Sequence, residues 1–462
     1  MIDLNQIQRL YFLGAGGIGM SALARYMHRL GKKVAGYDRT CTPLTMELTG
    51  EGIPVHYSDD PALIPQSFRD KKNTLVVYTP ALPGAHAELN YFKKAGFRLM
   101  KRAELLGEVS KGRPSVAVAG THGKTSVSTL VAHLLATTEN GCTAFLGGIS
   151  KNYGSNLIMT GQNPWFVLEA DEFDRSFLRL YPTHAVVTSL DADHLDIYGD
   201  HRHLQQAFNE FVSHLPPGGI LLIKKGLPVE CPEEIRKYTY SVKEDADFTP
   251  ENREYRKGMW SFDLKTPEGR IPCLKSANLG KAGLENAVAS AAVAWLLGAG
   301  TDELRSGLES FEGVKRRFDF HIRTAEVVYM DDYAHHPEEL KACIEAVRDS
   351  FPGRKITGIF QPHLYTRTRD FAVDFARSLD LLDTCILVDI YPAREEPLPG
   401  VTADTIRQHM RKPDAVIRCK KEEIIPALEP LDLDVLLTLG AGDIDTRVTD
   451  IKKWLQKRFE LS

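Results

Sequence analysis

Six consecutive residues, Gly120-Thr121-His122-Gly123-Lys124-Thr125, have the types and spacing to handle phosphate. They lie between the apolar run SVAVA (115–119) and a segment with helical character. Glycines let a backbone wrap closely around phosphates, and the start of a helix adds free N–H groups and the positive end of its dipole. Lys124 is expected to neutralise the outer phosphates, and the Thr125 hydroxyl to hold Mg2+. The longer form of the motif has another glycine where this chain has Val118, so the loop is a shortened Gly-x-x-Gly-Lys-Thr variant. A nucleotide site follows from it.

Acids come next in chain order. Glu169-Ala170-Asp171-Glu172 closes the apolar run WFVLEA, and an acid at a strand end facing a phosphate loop is where magnesium is usually held. Asp191-Ala192-Asp193-His194-Leu195-Asp196 follows the run HAVVTSL. Magnesium prefers carboxylate oxygens, so His194 points to a second metal or to a proton on the substrate. Further on stand Asp331-Asp332-Tyr333-Ala334-His335-His336 and Gln361-Pro362-His363-Leu364-Tyr365-Thr366-Arg367-Thr368-Arg369. Arginines beside a His and a Tyr suit carboxylate and phosphate recognition, and Arg316-Arg317 suits a transferring phosphoryl group. Taken singly, each of these is better explained as a solvated basic turn.

The N-terminal run Gly14-Ala15-Gly16-Gly17-Ile18-Gly19 follows a strand-like segment, and Asp38 ends the next one, where a ribose-binding acid would sit. This pattern fits NAD, and with it an oxidoreductase. A UDP-sugar carries the same diphosphate, so the loop by itself leaves both readings open.

These residues need elements to hold them. Apolar runs at 9–13, 32–38 and 74–80 alternate with helical stretches at about 21–30 and 86–95, which predicts a parallel sheet with crossover helices. A break near KGRP (111–114) opens a second unit with strands at 115–119, 165–170 and 184–190 and a helix from about Thr125. Residues 216–275 read as a peripheral β-rich part, followed by a helix at 285–298. A third alternation starts near 314. The fold class expected is α/β in three domains, bounded 1–108, 109–313 and 314–462. The first and third are Rossmann-like, and the central one is a phosphate-loop ATPase with a small β part.

Composition narrows the function classes. At 462 residues, 43% hydrophobic and 26% charged, the chain is ordinary for a protein of about three domains. A net charge of -4 gives no footing for nucleic acid. No run reaches the ~18 apolar residues of a membrane span, and the first residues lack signal-peptide order. Seven scattered cysteines without a Cys-x-x-Cys pair read as reduced thiols, so a cytoplasmic location is expected.

In order along the chain, GAGGIGMSALA, GTHGKTSVSTL, EADEFDRSFL, DADHLDIYG, DDYAHHPEEL, QPHLYTRTRDF and DIYPAREEPLPGVTAD resemble the Mur ligases over essentially the whole length. The resemblance implies ATP-dependent joining of L-alanine to the lactyl carboxylate of UDP-N-acetylmuramate through an acyl phosphate, with ATP and Mg2+. It turns Gly14, Ala15, Gly16, Gly17, Ile18, Gly19 and Asp38 into a UDP-sugar cradle. It places ATP on Gly120 to Thr125, Asn286, Arg317 and Asp332, and metal on Thr125, Glu169 and His194. Tyr333, His335 and Arg367 are implied around alanine, with Lys124, His194, His335 and Arg367 as the catalytic set. A monomer or weak dimer is expected. Four positions depart from the family pattern: Ala282 and Gly283 replace a His-Asn pair before Asn286, Ser189 replaces Asn, and Leu364 replaces Arg. Alternatives are a murein peptide ligase, folylpolyglutamate synthase, an NAD-dependent oxidoreductase and a nucleotide-gated binding protein.

Overall fold

The carboxyl ends of the strands decide where the polar clusters gather. The computed structural model describes residues 4–461 apart from 163, 192–197, 199, 257 and 394. The first sheet is wholly parallel and comprises β1 (Arg9–Leu13), β2 (Lys33–Tyr37), β3 (Val55–His56), β4 (Thr74–Tyr78) and β5 (Arg98–Lys101). Its order is β3-β2-β1-β4-β5. The chain changes direction of travel at β1, and the glycine-rich turn sits at that switch point, where open α/β sheets take ligands.

The second sheet holds β6 (Ser115–Ala119), β7 (Cys142–Ser150), β8 (Ser155–Met159), β9 (Trp165–Glu169), β10 (His184–Val187), β11 (Ile220–Lys224) and β12 (Arg236–Tyr240). Its order is β12-β11-β10-β6-β9-β7-β8, parallel except for β7 against β8. Because β6 lies between β9 and β10, the phosphate loop, the acids after Glu169 and the residues after Val187 emerge side by side. β11, with β12 beside it in the main sheet, is a correction to the expected peripheral segment. Its Ile220–Ile223 run is buried inside the main sheet, as apolar parallel strands usually are. Only β13 (Thr249–Arg256), β14 (Met259–Thr266) and β15 (Gly269–Ser276) form the separate small sheet.

Two helices start earlier than their sequence pattern predicts. One runs Ile18–Arg29 from an extended cap at Gly17, and the other Gly280–Leu296. The first is buried along almost its whole length, because it packs on its own sheet and also on β7 and β8. Leu23, Tyr26 and Met27 join Phe145, Leu157 and Phe166 in one apolar cluster. Arg25, 2% exposed, donates to Asn156 at 2.6 Å and pairs with Glu47 and Glu51. Residues 1–256, 260–277 and 285–312 accordingly form one compact unit.

The other unit comprises 257–259, 278–284 and 313–462. Its sheet holds β16 (Asp319–Arg323), β17 (Val328–Asp332), β18 (Ile356–Phe360), β19 (Thr384–Leu387), β20 (Ile417–Arg418) and β21 (Val435–Leu439) in the order β16-β17-β21-β18-β19-β20. All are parallel except the edge strand β16. Among the described residues no helix is long and apolar enough to cross a membrane, and the seven cysteines form no disulfide.

Candidate active site

The phosphate loop is stitched from behind. Gly120 (φ +142°) and Gly123 (φ +83°) adopt backbone conformations that favour glycine, and a Cβ on Gly120 would lie 2.1 Å from Thr188 Oγ1. Thr188 donates to the His122 carbonyl at 2.5 Å, and the His122 N–H donates to Ser189 Oγ at 2.7 Å. Ser189 Oγ is also 3.0 Å from Thr121 Oγ1. Ser189, a departure from the family pattern, therefore braces the loop with its short side chain. Asn286 also comes here, its Oδ1 3.0 Å from where a Cβ on Gly123 would be. His122 turns outward, 3.7 Å from Asp191.

Lys124 opens the helix Lys124–Ala136 and donates to the Gly120 carbonyl at 2.8 Å. It also pairs with Glu172 at 2.7 Å, and Glu172 is fully buried. Burial alone would lower the Lys124 ammonium, but Glu172, with Asp171 and Glu169 beyond it, holds it above its ordinary value. A strained turn follows Glu172. Asp174 (φ 53°) and Arg175 (φ 54°) are both left-handed, and the Tyr198 hydroxyl donates to the Glu172 carbonyl at 2.6 Å. Residue type and spacing assign Glu172 no role, since nothing local announces its partner.

Thr125 and Glu169 come together as expected, with Thr125 Oγ1 donating to Glu169 Oε1 at 2.8 Å. The same carboxylate accepts from the Gly147 N–H at 2.8 Å and from Ser128 at 3.3 Å. A hydroxyl and a well-oriented carboxylate are hard oxygen donors, a set that suits Mg2+ completed by substrate phosphates. Among the described residues no three His, Cys, Asp or Glu groups cluster as a metal site. His194 lies outside the described residues.

At the glycine-rich turn, Gly14 (φ +87°) and Ala15 donate to the Tyr37 carbonyl, and Gly17 to the Gly14 carbonyl. Asp38, expected at a ribose, accepts from Gly16 N–H at 2.7 Å and Thr40 N–H at 3.1 Å. The first-turn N–H groups of Ile18, Gly19 and Met20 are then the loop's donors for an anion.

In the second unit, the clusters after β17, β18 and β19 meet. The Tyr333 ring lies under both Arg316 and Arg317, at 5.1 and 5.3 Å. His335 is edge-on to Tyr333 and 6.0 Å from His363, whose ring stacks on Tyr391. Leu364, at φ 72°, turns the helix Tyr365–Asp370 so that Arg367 stands 3.5 Å from His363. Asp332, expected near the ATP ribose, is buried, and its oxygens accept from the Phe318 and Ala334 N–H groups at 2.8 and 2.9 Å. Burial pushes its carboxyl up to about 6 against the pull of Arg317. The local arrangement makes it a brace for the turn that carries Arg317.

Glu339 holds His335. It pairs with the ring Nδ1 at 3.1 Å and accepts from the backbone N–H groups of His335 and His336 at 3.0 and 3.2 Å. Burial alone would raise the Glu339 carboxyl, but His335 and Arg317 hold it well below the ordinary carboxylate value of 4.5. A depressed folded-state value contributes stability in full above the unfolded value, and that stability is lost as pH falls through the folded one. Glu339→Gln is therefore expected to be less stable than wild type at pH 7 by ~1–3 kcal/mol. The gap should close as pH drops below about 4.5, which chemical denaturation across pH measures. A gap that stays constant down to acid pH would rule this account out.

Family models match three consecutive stretches: "Mur ligase family, catalytic domain" at 9–113, "Mur ligase middle domain" at 118–294 and "Mur ligase, glutamate ligase domain" at 316–442. The chain is 51% identical over 460 residues to the UDP-N-acetylmuramate–L-alanine ligase of Parabacteroides distasonis, covering 99% of each. It is 49% identical to that of Phocaeicola vulgatus, covering 99% of this chain and 100% of the relative. Among solved structures, the UDP-N-acetylmuramate-alanine ligase of Thermotoga maritima is similar at TM-score 0.82 and 25% identity, covering 97% of this chain and 99% of that one.

Proposed function

The chain belongs to the Mur ligase family, and from that premise we propose that it joins L-alanine to UDP-N-acetylmuramate at the expense of ATP, in peptidoglycan precursor synthesis. Its full-length likeness to ligases of that name carries this reading. The lactyl carboxylate attacks the γ-phosphorus, ADP leaves, and the alanine amine attacks the acyl phosphate. A tetrahedral intermediate then expels phosphate.

Phosphoryl transfer of this kind needs positioning and positive charge more than covalent help from the protein. Lys124 supplies charge at the phosphate loop formed by Gly120, Thr121, His122 and Gly123, and its pairing with Glu172 supports that assignment. Thr125 and Glu169 would hold Mg2+, which when bound neutralises charge developing on the phosphates. We assign His194 to metal by resemblance alone. Asn286 borders the same loop. Gly14, Ala15, Gly16, Gly17, Ile18, Gly19 and Asp38 are assigned to the sugar nucleotide, with Ile18 and Gly19 carrying the donors.

Tyr333, His335 and Arg367 are assigned to alanine and the acyl phosphate, and Arg317 to the ATP phosphates. Asp332 is assigned to ATP by resemblance, and its hydrogen bonds brace the turn that carries Arg317. His335, oriented by Glu339, is suited to take the amine proton. We take 1–108, 109–313 and 314–462 as the sugar-nucleotide, ATP and amino-acid domains. We further take the protein to act in the cytoplasm as a monomer or weak dimer.

Phosphate release measured with each substrate omitted in turn tests the assignment. Release should require UDP-N-acetylmuramate and L-alanine together. Release with the sugar nucleotide and a tripeptide, but not with alanine, would move the chain to the murein peptide ligases.

A further inference from the structure

Arg102 opens the helix Arg102–Ser110 directly after β5, so it rises from the same edge of the first sheet as the glycine loop. Its guanidinium covers the start of the loop's helix. A Cβ built on Gly19 would lie 2.8 Å from Arg102 Nη1 and 3.0 Å from its Cδ. Gly19 is thus the residue that leaves room for Arg102 beside the N–H groups of Ile18, Gly19 and Met20. The other arm of the same guanidinium, Nη2, stands 3.6 Å from Asp171 Oδ2. Asp171 precedes Glu172, and Glu172 holds Lys124. One cation therefore borders both the proposed sugar-nucleotide cradle and the acid turn of the phosphate loop.

The two anions available to Arg102 are unequal. Asp171 is 40% exposed, its pairing is long, and its Oδ1 already accepts from the Phe173 N–H at 3.1 Å. Such pairs are weak. A diphosphate offers more charge and matches the planar fork of the guanidinium with two oxygens. We propose that Arg102 exchanges partners, leaving Asp171 for the diphosphate of the sugar nucleotide, and so couples filling of the glycine loop to the charge beside Glu172 and Lys124. This rests on the reading of Gly14 to Gly19 as a diphosphate cradle.

Calorimetric titration of UDP-N-acetylmuramate into the full-length chain without ATP reads the exchange directly. Arg102→Ala should weaken binding by about 10–100-fold, and Arg102→Lys by less, since Lys keeps the charge but loses the fork. Asp171→Asn should tighten binding by about 2–5-fold, because it removes the competing anion. The double variant should bind like Arg102→Ala alone. Unchanged or weaker binding in Asp171→Asn overturns the exchange and leaves a structural ion pair.

A non-hydrolysable ATP analogue tests the coupling. It should change the affinity for the sugar nucleotide in wild type and leave it unchanged in Arg102→Ala. Equal affinity with and without the analogue in wild type overturns the coupling. Gly16→Val separates the underlying reading, since its Cβ would lie 2.6 Å from Thr45 Cγ2 and 2.9 Å from Asp38 Oδ2. If wild type binds and Gly16→Val binds equally well, the cradle reading falls and the exchange with it. If Gly16→Val loses binding while Arg102→Ala keeps it, the exchange alone falls.

Discussion

Lys124→Met is expected to reduce turnover at least ~1000-fold and, in addition, to destabilise the protein. The first effect follows from losing the charge at the phosphate loop. The second follows from Glu172, which is fully buried and would lose the Lys124 ammonium that offsets its charge. Breaking a buried pair in this way costs ~3–5 kcal/mol, whereas replacing both partners can be nearly neutral. The double variant Lys124→Met/Glu172→Gln should therefore recover most of the stability and none of the activity. Urea denaturation alongside a phosphate-release assay separates the two effects. A single variant as stable as wild type would mean that Glu172 gives up its charge at no cost.

Gly147→Ala is the second large effect, and it acts at a distance from any recognisable motif. A Cβ at Gly147 would lie 2.2 Å from Glu169 Oε1 and 2.5 Å from its Cδ. The carboxylate must swing away, and it then loses the Thr125 and Ser128 hydroxyls together with the Gly147 N–H. Loss of a group that orients a metal ligand typically costs ~10–100-fold in activity or metal affinity. The expected signature is a higher Mg2+ requirement in a protein that still folds cooperatively. A wild-type Mg2+ titration in this variant would remove Glu169 from the metal site.

The contrast between these residues marks what the sequence made legible. Lys124, Thr125 and Glu169 were readable because their chemistry is written in residue type and short spacing at strand ends. Glu172, only three residues past Glu169, was not, since its partner Lys124 lies 48 positions away in the chain and nothing local announces the pairing. Gly147 was equally silent, because its neighbour Glu169 lies across the pairing of β7 with β9. Ser189 read as a departure from the family, yet its hydroxyl fixes the backbone of His122. Parallel alternation foretold the three sheets. It failed at β11, where surrounding Pro, Gly and charge masked a buried apolar strand.

The helix Ile18–Arg29 has a further consequence for how the chain is made. Its apolar surface is satisfied partly by Phe145, Leu157 and Phe166, residues more than a hundred positions downstream. At about 5–20 residues per second of synthesis, that surface waits on the order of ten seconds for its second partner. The first sheet, though complete by Lys101, thus emerges from the ribosome as an unfinished body with a sticky flank. A fragment ending near residue 110 should inherit that flank permanently and aggregate, while one extended past β9 carries Phe145, Leu157 and Phe166 with it.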